Sequence, residues 1–300
     1  RFLRDARPAR LLVIETEIWP HWLLAARDLG LPVAFVSARL SDRSVAGYRR
    51  LGRPLATLLG GVEALLCQSE ADAARWCLIG ARPDRVAVTG NLKFDALPTP
   101  CSDPRTARLE LGLDPERPVL TLGSLRPGEA RACATAWRGL PAELRASWQV
   151  IAVPRHARAL AQLRGEARMA GISPDGAWRW DGRPGVLNAY YAISDAALVG
   201  ASLVPLGGHN PLEPAAVGAA VIMGPHGSHQ QQAVSALKAN GAIAVADAAS
   251  LSGTLERVLG DASHRAAMSA AGLEVVRSLR GAARRSVAEL TVRGLWPVTR

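Results

Sequence analysis

Residues 196–214 read Ala-Ala-Leu-Val-Gly-Ala-Ser-Leu-Val-Pro-Leu-Gly-Gly-His-Asn-Pro-Leu-Glu-Pro. The stretch opens with four apolar residues, passes through a glycine pair and ends at residues that favour the start of a helix. This order predicts a buried strand that ends near Gly200, a tight loop and then a helix. In that helix Asn210 would be the N-cap, Pro211 the first helical residue and Glu213 the third.

The same unit of strand, loop and helix recurs along the whole chain. The other predicted strands cover residues 11–15, 33–37, 64–68, 86–89, 118–123, 149–153, 220–223 and 242–246. Most are continuous apolar runs, which indicates strands that helices cover on both faces. Predicted helices include residues 20–29, 70–78 and 155–170. Alternating strands and helices predict an α/β fold of doubly wound parallel sheets.

A proline-rich stretch interrupts the pattern after Asp95. Residues 96–104 contain three prolines among other turn-forming residues, which is typical of a domain boundary. We therefore predict an N-terminal domain over residues 1–97 and a C-terminal domain over residues 98–300, whose last helix can cross back. About four predicted strands fall in the first domain and about five in the second. The first domain is predicted to be incomplete.

The chain carries a formal net charge of +10, from 36 basic and 26 acidic residues, and Lys93 and Lys238 are its only lysines. The excess of arginine reflects either a coding bias or affinity for an anionic partner such as a phosphate, an acidic sugar or an acidic membrane surface. Dispersed basic residues without a reader motif argue against nucleic acid. No apolar run reaches the roughly 18 residues of a membrane span, and no secretory signal opens the sequence.

The four cysteines have no CxxC spacing and no paired histidine nearby. This pattern predicts reduced thiols in a cytosolic protein and argues against a zinc site.

Three further segments place chemically active side chains at the ends of predicted strands. Glu15 and Glu17 follow the first strand, where they either orient a ligand or favour a helix start. Arg155 follows the strand at 149–153 and either pairs with a phosphate or is an ordinary surface group. Lys93 lies just before the proline-rich boundary, where it either neutralises a phosphate or is solvated.

The glycine-pair stretch is open to two interpretations as well. Free backbone amides at a helix start bind phosphate or carboxylate groups. Asn210 together with Glu213 also resembles a capping box that only closes the helix end. His209 can transfer a proton, or it can fill the turn.

Taken together and in this order, these segments resemble the family of 3-deoxy-D-manno-octulosonic acid (Kdo) transferases. The matching stretches are Glu-Thr-Glu-Ile-Trp-Pro at 15–20, Ser-Ala-Arg-Leu-Ser-Asp-Arg-Ser at 37–44 with Tyr48, Gly-Asn-Leu-Lys-Phe-Asp at 90–95, Val-Pro-Arg-His at 153–156, and Gly-Gly-His-Asn-Pro-Leu-Glu-Pro at 207–214 with Met-Gly-Pro-His at 223–226. Each motif alone is loose, but five motifs in register over essentially the whole chain are specific.

The resemblance implies a GT-B fold, in which two Rossmann-like domains face a cleft. It also implies an inverting, metal-independent transfer of Kdo from CMP-Kdo to lipid A precursor, without a cofactor, at the cytoplasmic face of the inner membrane. Glu15 and Lys93 would stabilise the transition state. Residues that would hold CMP are Pro154, Arg155, Pro184, Gly185, Val186, Asn210, Pro211, Leu212 and Glu213, with Glu213 reaching the ribose. Further candidates are Gly207, Gly208, His209, Arg39, Ser41 and Arg43.

The chain also departs from the family pattern. Family members carry an N-terminal membrane-anchoring segment and, in the first βα region, a Gly-Glu element whose glutamate is the catalytic base, and we find neither in these residues. We therefore expect these 300 residues alone to bind CMP weakly and to turn over negligibly. Leu125-Arg126 replaces the usual Thr-His before Pro-Gly-Glu, Val186 replaces a glutamate so that any contact there comes from the backbone, and His229-Gln230 replaces Asn-Phe.

Two other functions fit the same patterns. One is a different GT-B enzyme, such as a nucleotide-sugar epimerase, which would prefer a UDP-sugar to CMP. The other is a non-catalytic relative that only binds a nucleotide or a membrane partner.

Overall fold

The computed structural model describes residues 2–16, 18–173 and 178–296. The chain forms two compact units. The first unit comprises Arg1–Ala96 with Leu279–Arg300, and the second comprises Leu97–Ser278. The chain therefore leaves the first unit at residue 96 and returns to it with its last residues.

Helices and strands alternate through both units. Up to residue 96 they are α1 (Phe2–Ala6), β1 (Leu11–Ile14), α2 (Pro20–Asp28), β2 (Val33–Ala38), α3 (Asp42–Arg49), α4 (Gly52–Gly60), β3 (Ala64–Cys67), α5 (Glu70–Leu78) and β4 (Val86–Val88). After it they are α6 (Pro104–Glu110), β5 (Val119–Leu125), α7 (Glu129–Arg138), α8 (Ala142–Ser147), β6 (Gln149–Pro154), α9 (Leu160–Met169), β7 (Trp178–Trp180), α10 (Leu187–Ala192), β8 (Ala196–Val199), α11 (Leu212–Ala216), β9 (Ala220–Met223), α12 (Gln231–Ala239), β10 (Ile243–Val245), α13 (Leu251–Gly260), α14 (Ala262–Leu279) and α15 (Ala282–Val292).

The first unit is built on a four-stranded sheet in the order β1-β2-β3-β4 with every pairing parallel. Each residue of β2 and β3 is buried, as expected for inner strands that helices cover on both faces. Helix α5 shows how the sequence fixes one such cover. Ser69 caps its start by accepting a hydrogen bond from the Asp72 amide at 3.1 Å, and Trp76 packs on Phe35 of β2 at 5.4 Å between ring centroids.

The second unit is built on a six-stranded sheet in the order β10-β9-β8-β5-β6-β7, also entirely parallel. All seven residues of β5 are buried, and the largest apolar core surrounds this sheet. The α/β fold of doubly wound parallel sheets is thus confirmed. The estimate of about five strands for the second part was wrong, because β7 alternates Trp-Arg-Trp over only three residues and gives no apolar run.

The helix predicted over residues 155–170 is shorter than expected. A turn of 3₁₀-helix covers Ala157–Ala159, and the α-helix begins only at Leu160. Because Arg155 and His156 lie outside the helix, they extend the loop that follows β6.

The last helix, α15, belongs to the first unit. The Asp95 carboxylate accepts hydrogen bonds from the amides of Gly281, Ala282 and Ala283, at 2.5, 3.2 and 2.7 Å. This carboxylate therefore caps the start of the helix. Leu290 and Leu295 pack with residues of β2 and β3, so the end of the chain completes the core of the first unit.

Candidate functional site

In the second sheet, the topological switch point lies between β5 and β8, from which the chain proceeds toward opposite edges. In open parallel sheets, ligands bind beyond the carboxyl ends of the strands at such a point. Arg126 follows β5, Arg155 follows β6, and residues 200–213 follow β8 and lead into α11. The sheet topology therefore brings the motif residues of the second unit to one edge.

The glycine pair that follows β8 is required by close packing. Gly207 and Gly208 have φ angles of +84° and +74°, in the region that favours glycine. A Cβ atom on Gly207 would lie 2.3 Å from the His229 ring, and one on Gly208 would lie 2.2 Å from Met223 Cε. The amides of Gly208 and His209 donate back to Ala201 and Gly200, so the loop closes tightly onto the end of β8.

The helix after this loop begins one residue later than predicted. Its N-cap is Pro211 rather than Asn210, and α11 is only five residues long. The Asn210 side chain still accepts a hydrogen bond from the Leu212 amide at 3.1 Å. Pro211 makes no side-chain capping hydrogen bond of its own, so Asn210 supplies the side-chain acceptor at this helix start from one position before the N-cap.

Charged side chains from separate loops influence one another electrostatically at this edge. Burial raises the pKa of Glu213, against the opposing effects of a hydrogen bond with Asn210 and of the Arg155 charge. Burial, together with the charges of Arg155, Arg126 and His156, lowers the pKa of His209 to about 4. His209 is therefore neutral at pH 7, and its buried Nε2 has no hydrogen-bond partner among the described residues.

The loop at residues 184–186 follows β7, which pairs with β6. The loop is anchored by the buried Asp181 carboxylate, which accepts hydrogen bonds from the Tyr190 hydroxyl at 2.7 Å and from Arg183 Nη2 at 2.6 Å. These hydrogen bonds, those from Arg183 first, hold the pKa of Asp181 well below its usual range. Val186 packs its side chain on the core of the sheet, which leaves Pro184 and Gly185 exposed at the tip.

Glu129 holds two of these loops together, and sequence reasoning missed it. Its carboxylate is fully buried. One oxygen accepts the amides of Arg126 and Ala201, both at 2.8 Å, and the other accepts those of Ser202 and Leu203 at 2.9 and 3.0 Å. The signal was present in Pro127-Gly128-Glu129, a glutamate at a helix start directly after a predicted strand.

Ser202 extends this connection to the next strand. Its side chain donates to the Val199 carbonyl and accepts the Gly224 amide at 2.8 Å, and its own carbonyl accepts the His226 amide at 3.0 Å. The ends of β5, β8 and β9 are thereby fixed to one another by buried polar groups. Such fully satisfied networks make the loop geometry rigid.

In the first unit, the two predicted transition-state stabilisers contact each other. Glu15 follows β1, and Lys93 lies in the 3₁₀-helix Leu92–Phe94 after β4, on the opposite edge of the sheet. The Leu92 amide donates to the Ser37 hydroxyl at 3.2 Å, which folds this turn back over β2. The Lys93 ammonium then forms an ion pair with the Glu15 carboxylate, and its side chain is 69% exposed.

Each unit contains a bulge near the end of a central strand. Ser37 in β2 and Ser124 in β5 have φ angles of +55°, and the strand register shifts beside each of them. Glu15 and Ala201 also have positive φ angles, of +63° and +58°. Such conformations cost energy in non-glycine residues and concentrate at functional sites.

The candidates of the 37–44 segment lie in different settings. The carbonyl of Arg39 accepts a hydrogen bond from the Thr16 hydroxyl, beside Glu15. Ser41 is the N-cap of α3 and accepts the Ser44 amide at 3.1 Å. Arg43 is exposed on α3. Glu17, the second carboxylate after β1, lies outside the described residues.

The described part of the chain contains neither a cluster of metal-binding side chains nor a helix that could cross a membrane. Over 2–16, 18–173 and 178–296, no group of three or more His, Cys, Asp or Glu side chains is arranged to hold a metal ion. No helix within those ranges has the length and apolar character that a membrane crossing requires.

Comparison with known proteins gives a family match. Residues 1–96 match a model described as 3-deoxy-D-manno-octulosonic-acid transferase (kdotransferase). The 3-deoxy-D-manno-octulosonic acid transferase of Bordetella pertussis is 34% identical over 303 residues, which cover 96% of this chain and 70% of the relative.

Solved structures give the fold. The C-terminal CMP-Kdo binding domain of WaaA from Acinetobacter baumannii matches with a TM-score of 0.51 at 22% identity, over 58% of this chain and 96% of that domain. HepE of Anabaena in complex with UDP matches with a TM-score of 0.62 at 16% identity, over 90% of this chain and 75% of HepE. The two Rossmann-like units are of the GT-B type.

Proposed function

Because the chain belongs to the Kdo transferase family, we propose that it acts in lipopolysaccharide biosynthesis by moving Kdo from CMP-Kdo to lipid A precursor. The observation that carries this proposal is the edge of the second sheet, where Arg155 and Glu213 lie with the glycine pair in a framework of buried hydrogen bonds. A nucleotide monophosphate offers an anion for the arginine and ribose hydroxyls for the carboxylate.

The proposed reaction is an inverting displacement without a metal ion. The bond between the anomeric carbon of Kdo and the phosphate oxygen breaks, and CMP leaves with the bonding electrons. A hydroxyl oxygen of the acceptor forms the new bond on the opposite face, and its proton passes to a general base. None of the residues assigned below is that base.

We assign CMP to the loops that follow β6, β7 and β8. Pro154 ends β6 and Arg155 follows it, and the Arg155 amide donates to the Leu125 carbonyl at 3.0 Å. That bond fixes the backbone while the exposed guanidinium remains available for phosphate. Pro184 and Gly185 supply backbone groups, and residues 210–213 supply the contact to ribose.

In the first unit we assign transition-state stabilisation to Lys93 and Glu15. The ammonium group of Lys93 neutralises charge that develops as a phosphate departs. Glu15 orients that ammonium through their ion pair. The partial exposure of both side chains keeps them accessible to a substrate.

The net charge of +10 suits the proposed partners. CMP-Kdo, lipid A precursor and the inner leaflet of the inner membrane are all anionic, and a basic protein is attracted to each of them. We therefore place the protein at the cytoplasmic face of the inner membrane.

Nucleotide preference tests this function. Isothermal titration calorimetry of the 300-residue chain should give tighter binding for CMP than for UDP. Because the fold alone is shared with a UDP-bound structure, tighter binding of UDP or a UDP-sugar would favour the alternative enzyme and contradict the proposal.

A chimera that adds the N-terminal segment of the Bordetella pertussis relative should transfer Kdo from CMP-Kdo to lipid A precursor. Absence of transfer, with CMP binding retained, would favour a non-catalytic relative.

The Glu213→Gln variant should weaken CMP binding at pH 7 about tenfold or more, because a charged acceptor for the ribose hydroxyls is lost. Since burial raises the pKa of Glu213 above its ordinary 4.5, the affinity of the unmodified chain should fall on acidification at a pH above that value. Calorimetry at a series of acidic pH values measures the CMP affinity of the unmodified chain and of Glu213→Gln. The part of the affinity loss that comes from protonation of Glu213 should be absent in the variant.

Stability provides the control for this variant. A raised carboxyl pKa means that the protonated form favours folding at low pH, and that this contribution is lost as pH rises through the folded-state pKa. At neutral pH, Glu213→Gln without ligand should therefore be at least as stable as the unmodified chain. A loss of about 1 kcal/mol with unchanged CMP affinity would instead indicate a helix cap.

A further inference from the structure

A second basic site lies beside Arg155 in the second unit. A cavity of about 280 Å³ opens at the carboxyl ends of β5 and β6. Three of its lining side chains are basic: Arg126 from the end of β5, and His156 and Arg158 from the loop after β6. Gln162 on α9 adds an amide to the same lining.

The positive charge in this cavity lacks a carboxylate partner. Within the described residues, neither Arg126 nor Arg158 forms an ion pair, and the buried Nε of Arg126 has no hydrogen-bond partner. Two acidic residues lie close by, but both are engaged with backbone amides. Glu129 accepts four amides, and Glu166 accepts the Gly128 amide through both oxygens, at 2.9 and 3.0 Å.

The protonation of His156 is affected by these surroundings. Its pKa is lowered by partial desolvation and by the charges of Arg126, Arg158 and Arg155. The imidazole therefore tends to stay neutral, and it can donate a hydrogen bond without adding to the repulsion between the arginines. A bound anion would relieve that repulsion and supply the missing acceptors.

The cavity adjoins the assigned CMP site. The Arg155 amide donates to the carbonyl of Leu125, which also lines the cavity. One Glu129 oxygen accepts the amides of both Arg126 and Ala201, which joins the cavity wall to the loop that leads to Glu213. The backbone that carries Arg126 is thus linked by hydrogen bonds to two of the loops assigned to CMP.

We propose that Arg126, with His156 and Arg158, binds the carboxylate of the donor's acidic sugar. This assignment rests on the proposed function, because it takes its ligand from CMP-Kdo. A planar guanidinium binds a carboxylate with two parallel hydrogen bonds. A phosphate from another ligand shares the same anionic chemistry and is distinguished below.

Calorimetry on Arg126→Leu tests the assignment with CMP, CMP-Kdo and inorganic phosphate as ligands. The variant should weaken CMP-Kdo binding about tenfold or more, as expected for loss of a charged hydrogen bond, and should leave CMP binding within about twofold. Retained CMP binding shows that the variant is folded. Arg131→Leu, an exposed arginine on α7, is the matched control and should change neither affinity.

Other outcomes overturn the assignment in distinguishable ways. Equal losses for CMP and CMP-Kdo would place Arg126 on the nucleotide phosphate. Phosphate binding that depends on Arg126, with CMP-Kdo binding unchanged, would make the cavity a site for a separate phosphate. If the unmodified chain prefers UDP-sugars to CMP-Kdo, the proposed function fails first and this inference fails with it.

Discussion

Replacing Glu129 by glutamine is expected to lower the free energy of unfolding of the second unit by about 2–6 kcal/mol. Glutamine has nearly the same volume, but one of its two terminal groups donates instead of accepting. Two of the four amides that Glu129 satisfies would then face a donor inside the protein. Each buried amide without an acceptor costs about 1–3 kcal/mol. Urea denaturation of both proteins measures the difference.

The control for this experiment is Glu143→Gln on α8, where the glutamate is exposed and the change should cost less than about 0.5 kcal/mol. CMP binding by the Glu129 variant should also weaken, because the loops after β5 and β8 lose their common anchor. If unfolding and CMP affinity both stay unchanged, the carboxylate does not organise these loops.

Replacing Lys93 by alanine should lower Kdo transfer by about 10²–10³-fold, which is the usual effect of removing one group that stabilises developing charge. Stability should change by less than about 1 kcal/mol, since the ion pair with Glu15 is exposed to solvent. A transfer assay on the chimera described above measures turnover, and urea denaturation measures stability.

Lys238, the other lysine of the chain, is exposed on α12 and provides the matched control. Lys238→Ala should transfer Kdo at the unmodified rate. If Lys93→Ala does the same, its contact with Glu15 is an ordinary surface ion pair and the catalytic role is wrong.

The strands could be predicted from sequence because buried parallel strands are continuous apolar runs. Residues 64–67 and 119–125 show this clearly, since every residue of β3 and β5 is buried. The same reasoning failed for β7, whose central arginine interrupts the pattern.

The sequence predicted which motifs contribute to the candidate site, but it did not predict the contacts between their side chains. Arg155 and Glu213 could be placed at strand ends, since parallel strands end at a common edge. The contact between Lys93 and Glu15 could not, because it joins opposite edges of a sheet through a turn held by the bulged Ser37. Glu129 was missed because its role depends on amides more than 70 residues away in sequence.

Because α15 belongs to the first unit, its late position in the sequence affects C-terminal truncation of the chain and folding during synthesis. The second unit is formed by one continuous segment, whereas the first is assembled from residues 1–96 and 279–300. A nascent chain that has been synthesised only as far as residue 280 contains all of the second unit, yet it lacks α15 and cannot complete the first. Premature stop codons close to Leu290 should therefore destabilise the first unit, although most of it is synthesised first, and leave the second unit folded.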